Sequence, residues 1–155
     1  MLGVIINDDS DAEKQSRIKD LNFQGFAARV TNAGVFDLSR LAVYRIRSVL
    51  EDNVDSYIPG YADVGNHLNV NILPVDVWIS LSAKLLFGLC KAKGEGADRN
   101  DIPGGKNWTG VEGFSVERWE FWKQKLDEIA ANGEGSAETR QIAEKIKATM
   151  IAAEA

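Results

Sequence analysis

The chain has 155 residues, 45% of them hydrophobic and 26% charged, which is enough for one domain with its own core and unlike disordered or fibrous chains. A net charge of -5 opposes phosphate backbones and anionic surfaces, so neither nucleic acid nor a membrane is expected as a partner. The most apolar run, Val75 to Cys90, is interrupted by Asp76, Ser80, Ser82 and Lys84 and is expected to be too short to span a bilayer.

The opening MLGVIINDDSD has no basic region ahead of its small apolar patch, so no secretion signal is expected. LGVII is ambiguous between an edge strand and a packed coil, and DDSDAEKQSRIKD is compatible with a short helix. Residues 1–20 are thus the weakly specified start of a single helical domain over 1–155. Between Leu21 and Ala33, the spacing of Phe23, Phe26, Ala27 and Val30 predicts one buried helix face, with Gly34 as a left-handed cap. Asp37 is the expected N-cap of a second helix, Phe36 and Leu41 its staple, and Leu38, Leu41, Ala42, Ile46 and Val49 its inner stripe.

Pro74 is expected at the first position of a third helix running to about Lys93. Trp78, Leu81, Leu85 and Leu89 line one side of it, and Val75, Ile79, Leu86 and Cys90 widen the apolar arc enough to predict a central position. A fourth helix follows the N-cap Ser115, with Trp119, Trp122, Leu126, Ile129 and Ala130 inward and Phe121 on the opposite side, lacking an evident partner. A fifth, about Ala137 to Ala153 after Ser136, buries Ile142, Ala143, Ile146 and Met150 and is expected to pair antiparallel with the fourth. Two long irregular loops, 51–73 and 94–113, complete an all-α, compact bundle of about five to six helices. Trp108, within the second and Gly-rich loop, is expected to anchor it on the body.

Catalytic patterns are scarce. His67 is the only histidine and is expected as a solvated loop residue, which leaves no zinc set and no Ser-His-Asp system. Cys90 reads as a small buried hydrophobe; a lone cysteine suits a reducing compartment, and a cytoplasmic location is expected. PGGKN lacks the first glycine and the Ser or Thr of a phosphate loop, and GEGADR has Arg99 where the dinucleotide fingerprint needs glycine. Asp9, Asp11, Glu13 and Asp20 imitate a calcium loop, but Lys14 stands where the turn requires glycine. No metal site and no cofactor are therefore expected. Arg45 falls within the apolar sector of the second helix, where it either pairs with a carboxylate or recognises an anion, while Arg47 points away. The acids between Ser48 and Ala83 are expected to neutralise arginines of that helix.

LNFQGFAARVTNAGVFDLSRLAVYRIRSVLE, GFSVERWEFWKQKLDEIA and ETRQIAEKIKATM together resemble an uncharacterised family of all-helical proteins from filamentous ascomycete fungi. The resemblance is to the C-terminal part of that family, a domain of unknown function, and covers most of Leu21 to Met150. It places Arg29, Asp37, Arg118, Trp119 and Trp122 on matching positions and brings no catalytic role with them. Because similar members carry further helices ahead of the stretch at Leu21, it implies apolar surface buried by self-association, a homodimer in which Phe121 finds its partner.

Two functions are expected from these features. One is a non-enzymatic binding or self-assembly module with Phe121 at its interface. The alternative is a small helical enzyme or carrier for an apolar metabolite of a secondary-metabolite pathway, with Tyr44, Trp78, Trp119 and Trp122 walling a cavity and Arg45 orienting one polar group. No catalytic residue is assigned in either.

Overall fold

A computed structural model of the chain describes residues 11–52, 64–92, 102–132 and 135–155, with side chains from Leu68 onward in the second stretch. Among the described residues there are five helices and no strand: α1 (Asp11–Asn32), α2 (Ser39–Leu50), α3 (Val64–Lys91), α4 (Val116–Ala131) and α5 (Ala137–Ala153). The chain is all-α, as its periodicity predicts. The long α3 contacts every other helix and so takes the central position that its broad apolar arc requires.

Cross-helix bonds give the directions. Arg45 meets Asp20 and the Leu38 amide meets the Thr31 hydroxyl, so α1 and α2 form an antiparallel hairpin. Lys147 meets Asp127 and Trp119 meets Glu154, which makes α4 and α5 a second one. Asn69 with Thr139 and Asp76 with Lys145 show that α5 runs parallel to α3. The helix signals at these turns perform as expected. Gly34, at φ 70, closes α1 with paired bonds from its own amide to Thr31 and from the Val35 amide to Val30. Ser115 and Ser136 cap α4 and α5 by accepting from Arg118 and Thr139 amides.

Several expectations are corrected. The helix at Leu21 and the short one before it are a single α1, and its buried face is Gln24, Gly25, Ala27, Ala28 and Thr31, so that of the expected Phe23, Phe26, Ala27 and Val30 stripe only Ala27 is fully buried. Small side chains let α1 lie close against α3, and the one large polar group is satisfied because Trp78 Nε1 donates to Gln24 Oε1 at 2.8 Å. Phe23 and Phe26 consequently face outward. Phe36 is also exposed instead of stapling α2, which starts one residue later than expected, after Leu38. Asp37 still accepts from the Ser39 amide at 3.0 Å.

Pro74 is not the start of α3 but lies inside it, ten residues along, and the expected loop 51–73 is helical from Val64. An interior proline removes one helical hydrogen bond at about 3 kcal/mol. Buried Leu68, Ile72, Val75 and Trp78 around it supply packing that an isolated segment lacks. Leu81 is exposed, whereas Ser82 and Ala83 turn inward. His67 belongs to α3 by its backbone and not to a loop, its side chain lying outside the described residues. The longer helix also removes the length argument against a membrane span: Leu68–Lys91, 24 residues, is long and apolar enough to cross one. Half of an 18-residue stretch within it is buried in the fold.

Candidate functional site

The most elaborate polar constellation joins the end of α2 to the start of α4. Glu51, the C-cap of α2, and Arg118, in the first turn of α4, are both completely buried. Arg118 Nε donates to Glu51 Oε1 at 2.6 Å and Nη2 to Oε2 at 2.9 Å, the parallel geometry that makes such pairs strong. Its other N–H groups reach the carbonyls of Ile102 at 3.1 Å, Gly113 at 2.9 Å and Pro103 at 3.1 Å. All five guanidinium donors are thereby used. Glu51 is equally committed, because Oε1 also accepts from Trp122 Nε1 at 2.6 Å and Oε2 from the Gly105 amide at 2.8 Å. A side chain at Gly105 would come within 2.6 Å of Glu51 Cβ, so glycine is needed for this approach.

Such a fully paired centre has no valence left for a ligand. Its effect is to tie the segment 102–113 onto the bundle. Lys106 and Asn107 amides add bonds to Asp52 and to the Glu51 carbonyl, and Arg47, expected to point away, donates to Pro103. Trp108 completes the anchoring with its ring 5.3 Å from that of Phe121. Phe121 thus has a partner within the chain, besides Lys125 above its face. The resemblance marks Arg118 only as a matching position without a role, yet the sequence carries a signal for its burial: four residues before Trp122, it falls about 40° away on the same apolar face, the reasoning that singles out Arg45.

The five residues expected around a ligand are placed differently from one another. Arg45 is ion-paired with Asp20 at 2.6 Å on the outer side of the α1–α2 hairpin, and Tyr44 is exposed beside Arg40. Trp78, Trp119 and Trp122 are all fully buried, each donating its indole N–H to a different side-chain oxygen, of Gln24, Glu154 and Glu51 respectively. Trp119 and Trp122 lie together at 6.2 Å. Of the acids expected to neutralise α2, only Asp52, near Arg47 at 3.8 Å, does so among the described residues; Glu51 pairs with Arg118 and Asp76 with Lys145, and Asp55 and Asp63 lie outside the described residues.

Cys90 is buried beneath the same region. Burial, opposed by the Ser115 backbone and Arg118, pushes its thiol up to about 12, so it stays protonated and unreactive at neutral pH. Lys123 bridges Glu154, at 2.5 Å, and Glu120, at 2.8 Å. The Lys123 hydrogen bond holds the Glu154 carboxyl below its usual range against a smaller opposing burial effect, and Trp119 adds to the lowering. Burial would lower Lys123, but Glu120 and Glu154 outweigh it and raise the group. The contribution of Glu154 is therefore complete above its unfolded value and lost as pH falls through the lower folded one. Melting temperatures of the protein and of Glu154→Gln, measured against pH, are expected to converge only below about pH 4. Convergence near neutrality would remove the assignment.

Two clefts open outside this centre. One, of about 200 Å³, lies between the α1–α2 turn and α3 at Phe36, Leu85 and Leu89. The other, of about 370 Å³, lies between α1 and α3 and includes Gly25, Arg29 and Leu81. Neither is lined by Tyr44, Arg45, Trp78, Trp119 or Trp122.

No curated protein and no solved structure gives a match to this chain. A family model, described as a protein of unknown function, DUF3632, matches residues 1–126, from the first residue into α4, and α5 lies beyond it. Matching well over half of the chain, it shows that the protein belongs to the DUF3632 family.

Proposed function

We propose that this protein is a non-enzymatic assembly module that forms a homodimer through the outer face of α1 and the adjoining turn. One observation carries the reading: Phe23, Phe26, Val35 and Phe36 are 50%, 59%, 67% and 69% exposed. Phe23, Phe26 and the half-buried Val30 recur at helical spacing, so they form a stripe and not scattered positions. With roughly 200 Å² per aromatic side chain, the four exposed residues present on the order of 400 Å², the size of patch that on soluble monomers is often functional. A stable interface covers about 800 Å² per partner around an apolar centre, which this stripe would supply.

A second copy is the simplest occupant, since one helix face can meet itself about a twofold axis. Phe121, covered by Trp108, is not required for it. Light scattering at tens of micromolar is expected to give twice the 17.0 kDa chain mass. The double variant Phe23→Ser/Phe26→Ser is expected to return the single mass with unchanged helical circular dichroism. A single mass for the unaltered chain, or a double mass that survives both substitutions, overturns the proposal.

A further inference from the structure

We infer that the cleft between α1 and α3 is a binding site for small carboxylates with an apolar body, held through Arg29. Asn22, Gly25 and Arg29 occupy one strip of α1 at spacings of three and four and line this opening of about 370 Å³, within the range of small-molecule sites. Leu21, Val77 and Leu81 provide the apolar walls.

The cleft lining carries one cation, Arg29, and one acid, Asp76, which do not pair with each other. Arg29 has no hydrogen-bond or ion-pair partner among the described residues, although the chain as a whole carries a net charge of -5. Asp76, in the same lining, is already engaged: it pairs with Lys145 at 3.0 Å and accepts from the Ser80 hydroxyl at 3.2 Å. An anion entering the cleft therefore meets a free guanidinium fork, with the Asn22 amide on the same strip as a second donor. Nothing in the lining calls for more than one negative charge, and the three aliphatic walls call for an apolar remainder.

Gly25 strengthens the assignment. Glycine within a helix costs up to about 1 kcal/mol relative to alanine. Packing against α3 does not demand it, because an added Cβ would stand 3.8 Å from Val77 Cγ1, an ordinary contact. The tight approach is to Arg29 Nη1, at 3.1 Å. A side chain there would press on the guanidinium and shift it by a few tenths of an ångström.

Isotope-labelled protein titrated with octanoate tests the proposal, with 1-octanol as the neutral counterpart. Saturable amide shifts at Asn22, Gly25, Val77 and Leu81 are expected with octanoate and none of comparable affinity with octanol. Arg29→Met, at an exposed position that leaves folding intact by circular dichroism, is expected to weaken binding at least about tenfold, as loss of a charge-assisted pair should. Gly25→Leu, which fills the opening, is expected to abolish it. Absence of saturation, equal affinity for octanol, or undiminished binding by Arg29→Met overturns the site. The titration is repeated on Phe23→Ser/Phe26→Ser, which retains every cleft residue named. Unchanged binding there is expected whether or not the chain dimerises, and loss of the shifts in that variant also overturns the site.

Discussion

Arg118→Met should lower the unfolding free energy by about 3–5 kcal/mol, because it leaves the Glu51 carboxylate buried without its counter-charge. The loss does not end at the ion pair. The carbonyls of Ile102, Pro103 and Gly113 each lose one donor in the same step, and Glu51 retains only Trp122 Nε1 and the Gly105 amide. Replacing both ionic partners by apolar residues often restores stability at simpler sites, yet here Glu51→Leu/Arg118→Met should stay well below the parent. The Gly113 carbonyl, the Gly105 amide and the Trp122 indole N–H would still lack these partners in a buried position, at about 1–3 kcal/mol each where water cannot reach them, whereas the Ile102 and Pro103 carbonyls keep the Gly113 amide and Arg47. Urea denaturation of the two single variants and the double variant gives the coupling directly. A midpoint for Arg118→Met within about 1 kcal/mol of the parent would show that the centre is not what holds segment 102–113. Amide exchange provides the local counterpart, since Gly105, Asn107 and Gly113 donate bonds that depend on this arrangement and should lose protection first.

What the sequence revealed and what it concealed follow one physical division. Caps act over a few residues and report themselves locally, so Gly34, Ser115, Ser136 and the extent of α5 were legible. Which face of a helix is buried depends on the partner as well as the period. On α1 two candidate faces competed, and the larger side chains of Phe23 and Phe26 pointed to the wrong one. The other face is built from Ala27, Ala28 and Gly25, whose value lies in close approach, and from Gln24, whose polarity is cancelled only by Trp78 far along the chain. Pro74 misled for a related reason: its local preference marks a helix start, while the core around it pays no attention to that preference. The buried pair Glu51–Arg118 was hardest to see, because its two members are 67 positions apart and, although Arg118 falls on the apolar face of its helix, Glu51 looks like an ordinary surface charge in sequence. Of the candidate site residues, burial of the tryptophans was legible from the wheel, but the polar group that each would find was not. The exposed stripe and the Arg29 cleft are consequences of how α1 is turned, and so neither could be found before that orientation was known.

Trp119→Ala should be nearly as damaging as loss of Arg118, at about 3–5 kcal/mol. Trp119 is fully buried, with its ring 5.3 Å from Phe87 on α3 and 6.2 Å from Trp122 on α4, while its indole N–H donates to Glu154 at 3.0 Å beyond the end of α5. One side chain therefore joins three helices, and its removal leaves a cavity at their junction that rigid backbones cannot collapse to fill. Trp119→Phe separates the two contributions: it keeps an aromatic ring between Phe87 and Trp122 while deleting the donor to Glu154. Its cost is expected to be intermediate, and its acid-side behaviour should resemble that of Glu154→Gln if the indole bond contributes to holding that carboxylate charged. Trp122 gives the sharper test, because its ring lies tilted against that of Trp119 and its indole N–H donates to Glu51. A shift of Trp122 into the space left by Trp119→Ala would strain its bond to Glu51, so Trp119→Ala and Arg118→Met should be non-additive by more than about 0.5 kcal/mol. Strict additivity would mean that Trp122 stays in place when its neighbour is removed, and that the aromatic junction and the buried ion pair stabilise this fold independently.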